Sequence, residues 1–169
     1  DEAWLDAPLP IGHGQTISQP FTVGFMLELL QPRPGDKILD IGSGSGWTTA
    51  LLASIVGAKG KVFGVERIPE LCEFGKNNAA KYNFVEKGIA SFICADGSAG
   101  LKKEAPFERI LAGAACEEIP QFWRKQLKIG GRLVTPVKNS IWLLIKKQDD
   151  KFEEKEFSGF AFVPLVVDK

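Results

Sequence analysis

Leu39-Asp40-Ile41-Gly42-Ser43-Gly44-Ser45-Gly46 is the segment that decides the fold. Lys37 to Ile41 is an apolar run of strand length, and Trp47 to Val56 has helical character, so the segment is a strand, a glycine loop and a helix in direct succession. Such a junction turns backbone N–H groups and the positive end of a helix toward a ligand. Glycine at 42, 44 and 46 permits positive φ and close backbone approach. A dinucleotide fingerprint would place its third glycine at position 47, where this chain has Trp47; an indole there fits poorly beside a pyrophosphate, which disfavours NAD or FAD.

Outward from this loop, strand-like and helix-like segments alternate. Phe21 to Leu30 reads as a helix bounded by Pro20 and Pro32. After the loop come a second strand at Lys61–Val65, a helix from Pro69 to about Tyr82, strands at Ser91–Ala95 and Arg109–Ala114, a helix at Pro120–Leu127 and a strand at Arg132–Val137. Ile141–Lys147 and Phe157–Val167 read as an antiparallel pair joined by a charged turn, and residues 1–19 as an irregular lead-in. The outline is a doubly wound α/β domain: a mostly parallel seven-stranded sheet, helices on both faces and a C-terminal antiparallel hairpin. The expected organisation is one domain over 1–169, with a substrate-binding lead-in (1–19), a cofactor-binding core (20–137) and the hairpin (138–169).

Composition narrows the function. Lysine plus arginine and aspartate plus glutamate both number 21, so there is no basic excess to hold nucleic acid or an anionic membrane. No apolar run reaches the roughly 18 residues of a membrane span. Three scattered cysteines and one histidine suit neither a disulfide framework nor a zinc site, so no metal is expected and a cytoplasmic setting is. Asp40, Glu66 and Asp96 stand at the ends of successive strands, where open α/β sheets bind ligands. A carboxylate at Glu66 can accept from both hydroxyls of a ribose, and Asp96-Gly97 can meet an adenine edge.

These residues resemble the cofactor motifs of class I S-adenosylmethionine-dependent methyltransferases. Within that superfamily the chain is similar to the protein-L-isoaspartate O-methyltransferases. The similarity runs through Asp6-Ala7-Pro8-Leu9-Pro10-Ile11-Gly12-His13-Gly14-Gln15-Thr16-Ile17-Ser18-Gln19-Pro20, the glycine loop, Ala95-Asp96-Gly97, Gly113-Ala114-Ala115, Gly130-Gly131-Arg132-Leu133-Val134 and Val163-Pro164-Leu165. The Gln-Thr-Ile-Ser-x-Pro block is the most restricted of these.

The resemblance implies methyl transfer from S-adenosylmethionine to the α-carboxylate of L-isoaspartyl residues in damaged proteins and peptides. The ester then loses methanol to give a succinimide. It implies a cofactor set of Gln15, Thr16, Asp40, Gly42, Ser43, Gly44, Ser45, Gly46, Trp47, Glu66, Arg67, Asp96 and Gly97. It implies a substrate slot at Thr16, Ile17 and Ser18, with the Ser18 hydroxyl donating to the substrate carboxylate. It implies a monomer acting on proteins rather than nucleic acid. From its position alone, Ser18 reads equally as a helix N-cap, and His13 as a loop hydrogen-bonding residue. Other methyl acceptors, or a cofactor-binding module without activity, are the competing readings. The chain departs from the family at Lys138, where glycine is usual, and at Cys116. Its segment after Leu165 is short, and it opens on the substrate block where relatives commonly carry a further helical segment.

Overall fold

The structure, a computed structural model, describes residues 2–148 and 151–166. Its central strands are β3 (Lys37–Ile41), β4 (Lys61–Glu66), β5 (Ala90–Cys94), β6 (Phe107–Ala112), β7 (Leu127–Val137), β8 (Ser140–Gln148) and β9 (Lys151–Ser158). Ahead of them, β1 (Leu9–Gly12) and β2 (Gln15–Ile17) form a separate hairpin. Among the described residues there are four α-helices: α1 (Pro20–Leu30), α2 (Trp47–Val56), α3 (Pro69–Ala80) and α4 (Gln121–Gln126).

The seven strands lie in the order β5-β4-β3-β6-β7-β8-β9. β5 through β7 run parallel, while β8 and β9 run antiparallel. The chain enters at β3, winds outward to β5, then crosses back to place β6 on the other side of β3. That reversal opens a crevice at the carboxyl ends of β3 and β6, the usual ligand position in such a sheet.

Residue alternation along the strands separates two cores. Ile38, Val62, Leu111, Val134 and Leu143 face one side, where Met26 and Leu30 of α1 and Leu52, Ala53 and Val56 of α2 cover them. Leu39, Ile41, Phe63, Val65, Ile110, Leu133 and Leu144 face the other, against Trp123 of α4. Two side chains tie the far end of α1 to the sheet: Arg109 Nε donates to the Gln31 carbonyl at 3.0 Å and Arg132 Nε to that of Leu29 at 2.7 Å.

Two expectations are corrected. The lead-in is not wholly irregular: Leu9 pairs with Ile17 and Pro10 with Thr16, around a turn in which Gly12, His13 and Gly14 all have positive φ. Because consecutive residues cannot easily hold that conformation without glycine, the Gly-His-Gly run is a hairpin turn. The last strand is also displaced. It covers Lys151–Ser158 rather than Phe157–Val167, so the charged stretch expected to form a turn is mostly strand; residues 149, 150 and 167 lie outside those described. An edge strand has one solvent-facing side and tolerates charge, and here its carboxylates are paired, Glu153 with Lys147 at 2.8 Å and Glu154 with Arg124 at 2.6 Å. The apolar residues beyond it turn back over the sheet: Phe160 stacks on Phe25, and the Leu165 N–H donates to the Ala115 carbonyl at 2.7 Å.

Candidate active site

Two cavities meet at the carboxyl ends of β3 and β6. The first is a narrow cleft walled by Gly42 and Gly44, by Glu66 and Arg67, by Gly97, by Gly113 and Ala114, and by the turned-back tail Val163–Val166; Ile11, Gln15 and Thr16 of the hairpin close it. The second is a broader groove between Pro8, Thr16, Ser18, Gln19, Phe21 and Thr22 on one side and Ser158–Val163 on the other. Thr16, Gly113 and Val163 belong to both, so the cavities are contiguous there.

The floor of the cleft is the glycine loop, held from three directions. Gly42 N–H donates to Val65 O at 2.8 Å, and Gly113 N–H donates to Ile41 O at 2.8 Å, which fixes the loop between β4 and β6. The two Glu66 oxygens accept from Gly44 N at 2.9 Å and Ile68 N at 3.0 Å. Each carboxylate oxygen has a second lone pair, so Glu66 can still accept from a ligand. From behind, Gly46 lies so close to α3 that an added Cβ would stand 2.4 Å from the Gly75 carbonyl oxygen. The third glycine of the loop therefore serves a backbone-to-backbone contact with α3. Asn78 Nδ2 adds a bond to the Ser45 carbonyl at 3.0 Å.

Asp40 stands beneath the loop rather than in the cleft. Its side chain is 1% exposed and accepts from Thr49 Oγ1 at 2.6 Å. Burial pushes its carboxyl up to about 7, against the stabilising Thr49 bond and assisted by the nearby Glu66 charge. Ser43 Oγ is buried and has no hydrogen-bond partner among the described residues.

Of the residues expected to hold a cofactor, Gln15, Thr16, Gly42, Gly44, Glu66, Arg67 and Gly97 line the cleft. Ser43, Ser45, Gly46 and Trp47 do not; they form the underside of the loop and the start of α2. Asp96 also lies off the lining and accepts from Ser98 N at 2.8 Å, capping a short turn that presents Gly97. Gly97 in turn is pressed against β3, since a Cβ there would be 2.6 Å from Ile41 Cγ2.

Of the residues expected to hold the substrate, Thr16 and Ser18 line the groove, whereas Ile17 lines neither cavity and pairs with Leu9. The cap position of α1 is Gln19, not Ser18, and its side chain makes no capping bond. Gly113, Ala114 and Val163–Val166 are wall residues absent from the expected set; their sequence signal was a second glycine-containing strand end and a Val-Pro-Leu tail. Ile11 lay within the Asp6–Pro20 block, whereas Gly75 and Asn78 carried no local signal.

The cleft passes a chemical test for an adenosine ligand that carries no phosphate. It presents the Glu66 carboxylate, glycine backbone and apolar walls at Ile41, Val65 and Leu165, with Arg67 its one cationic lining residue among the described residues. Among the described residues no group of three or more His, Cys, Asp or Glu side chains could hold a metal ion, and no helix is long and apolar enough to cross a membrane.

Comparison with known proteins agrees with this geometry. The family described as protein-L-isoaspartate(D-aspartate) O-methyltransferase matches residues 1–169. A Flavobacterium psychrophilum protein-L-isoaspartate O-methyltransferase is 48% identical over 100% of this chain and 78% of its own length. The Methanopyrus kandleri protein of that name is 44% identical, over 98% of this chain and 74% of its own. In structure, a Plasmodium falciparum chain assigned to the same activity, solved with S-adenosyl-L-homocysteine, superposes with a TM-score of 0.88 at 24% identity, over 96% of this chain and 81% of that one. At that identity the superposition speaks for the fold alone, a Rossmann-like, mostly parallel α/β sheet. The family match over the whole chain and relatives this similar over nearly all of it decide the assignment: the chain belongs to the protein-L-isoaspartate(D-aspartate) O-methyltransferase family.

Proposed function

We infer that this chain is a protein-repair enzyme that transfers a methyl group from S-adenosylmethionine to the α-carboxylate of L-isoaspartyl residues in proteins and peptides. The observation that carries the reading is the joining of a Glu66-bearing cleft to an open groove at Thr16, Gly113 and Val163, with Ser18 on the groove side only. A methyl group can pass between ligands in two such cavities only at their junction.

When bound, S-adenosylmethionine supplies a methyl carbon on a cationic sulfur, so a carboxylate oxygen can bond to that carbon as the carbon–sulfur pair returns to sulfur. The protein's part is positional. Glu66 accepts from the ribose, Gly42, Gly44, Gly97 and Gly113 let backbone approach the ligand, and Asp96 shapes the turn that carries Gly97. Arg67, Gln15, Asp40 and the remaining loop residues complete or support that site. In the groove, the Ser18 hydroxyl and backbone groups of Thr16 and Ile17 orient the substrate carboxylate. The turned-back tail at Val163–Leu165 narrows the junction and limits water there. No proton need be removed, because a carboxylate is already ionised at neutral pH. We read the organisation as one domain, with residues 1–19 serving substrate, 20–137 the cofactor and 138–169 the closing hairpin and tail. Balanced charge supports action on proteins rather than on nucleic acid, and three free cysteines support a cytoplasmic setting; we read the chain as a monomer.

The decisive assay pairs isoaspartyl and aspartyl versions of one peptide. S-adenosylhomocysteine release is expected with the first alone; equal turnover of both refutes the substrate. Ser18→Ala removes one hydrogen bond to a charged group, worth roughly 1.5–3 kcal/mol, and should lower kcat/KM about ten- to hundredfold. Its affinity for S-adenosylmethionine should stay within about twofold, and a large loss would instead move Ser18 into the cofactor site.

A further inference from the structure

Asp6 lines neither cavity, yet it is the residue that ties the substrate block to α1. One carboxylate oxygen accepts from the Phe21 N–H at 2.8 Å, across 15 positions of sequence. The other accepts from Gln19 Nε2 at 3.1 Å, and the same amide donates to the Asp6 carbonyl at 3.0 Å. Gln19 Oε1 then accepts from Thr22 Oγ1 at 3.3 Å.

The arrangement follows from a deficit at the start of α1. Pro20, its first residue, has no N–H, and Gln19 supplies no side-chain cap. The Phe21 N–H is therefore the first amide of the helix that needs an acceptor, and a carboxylate suits both the donor and the positive helix end. A serine at position 18 would be a ready local supplier of such an acceptor. Asp6 takes that place from a distance and leaves the Ser18 hydroxyl to the groove.

Ser18 is also held from both sides. On one side Ile17 pairs with Leu9 in the hairpin. On the other, Gln19 and Phe21 are bound to Asp6, a short step before Leu9. The contacts close a ring around a short link, so displacement of Ser18 requires either the hairpin or the Asp6 bonds to open.

We propose that Asp6 is a positioning residue for methyl transfer: by capping α1 and binding Gln19 it fixes the link that carries Ser18 and keeps that hydroxyl directed to the substrate groove. This role rests on the reading of the groove as the isoaspartyl site. Asp6→Ala frees the link, and misplacement of a catalytic contact by about 1 Å can cost up to about a hundredfold.

The test is steady-state kinetics on an isoaspartyl peptide with wild type, Asp6→Ala, Asp6→Asn, Ser18→Ala and the Asp6→Ala/Ser18→Ala double variant. Rates are normalised to sites that bind S-adenosylhomocysteine, so loss of folded protein does not register. Asp6→Ala should lower kcat/KM for peptide roughly ten- to hundredfold while KM for S-adenosylmethionine stays within about twofold. Asp6→Asn, which retains an oxygen acceptor for Phe21, should recover most of the loss. In the Ser18→Ala background, Asp6→Ala should add less than about twofold, because it acts through that hydroxyl. Equal losses for peptide and cofactor, full additivity in the double variant, or an Asn variant no better than Ala overturns the role. A wild-type chain silent on isoaspartyl peptide overturns the functional reading and this role together, whereas an active wild type matched by Asp6→Ala overturns the role alone.

Discussion

Gly75→Ala alters α3 on the side away from the cleft and tests whether backbone contact holds the glycine loop. The added Cβ would stand 2.7 Å from the Gly44 carbonyl oxygen and 3.0 Å from the Gly46 nitrogen, both backbone atoms. Ordinary contact begins near 3.4 Å, so loop and helix must separate by about 0.7 Å at the tighter point. Forced separation in a packed interior costs roughly 1–3 kcal/mol. Alanine recovers about 1 kcal/mol of intrinsic helix preference, so a net loss of about 1 kcal/mol is expected, or roughly 2–4 °C in melting midpoint for a chain of this size. The same displacement draws Gly44 N away from Glu66, now 2.9 Å distant, to beyond about 3.5 Å where the hydrogen bond fails. On our reading of Glu66 as the acceptor for the ribose, losing its order should weaken S-adenosylmethionine about tenfold, or about 1.4 kcal/mol. Thermal melting followed by circular dichroism and calorimetric titration with the cofactor measure the two effects. A raised midpoint with unchanged affinity would refute the reasoning, since helix preference would then outweigh a contact that was never tight.

Further outcomes follow from the buried groups. The Asp40 carboxyl is raised from 3.8 to about 7, so the folded state keeps a proton that the unfolded chain has lost, and its contribution to stability falls as pH rises from about 4 to about 7. Asp40→Asn removes that titration while still accepting from Thr49, so its stability relative to wild type, from urea unfolding, should increase between pH 5 and pH 8; a constant difference would contradict the assignment. Glu66→Ala should weaken S-adenosylmethionine by tenfold or more in calorimetric titration, and unaltered affinity would place the ribose elsewhere. Lys146, 8% exposed, donates to the Leu127 carbonyl at 3.0 Å and caps the end of α4. Lys146→Met should cost about 1–3 kcal/mol in unfolding free energy while leaving turnover per folded molecule unchanged, and a selective loss of turnover would refute that purely structural role.

Much of the frame was legible because local chemistry and tertiary position agree. The helix expected from Trp47 to Val56 forms over those residues, and β3 and β4 lie where strands are expected at Lys37–Ile41 and Lys61–Val65. Two of the departures from expectation have one cause. Gly12-His13-Gly14 and the charged residues from Lys146 to Glu156 both carry loop-like composition, yet pairing partners distant in sequence make them a hairpin turn and an edge strand. Strand formation there depends on the partner, which no local pattern reports.

The candidate site divides along the same line. Sequence alone determined the strand–loop–helix junction, the acidic strand ends and the block from Gln15 to Ser18, since each is written in consecutive residues or in repeated strand–helix units. Tertiary structure decided which of these line the cleft. It turned Asp40 under the loop, set Asp96 to shape a turn, assigned the third loop glycine to contact with Gly75, and brought Val163–Val166 back over the cleft. It also gave the cap of α1 to Asp6 and left Ser18 in the groove. The physical reason is that a side chain's partner is set by distance in space: Asp6 and Phe21 meet only when the β1–β2 hairpin closes between them, and Gly46 and Gly75 only when β4 joins the sheet.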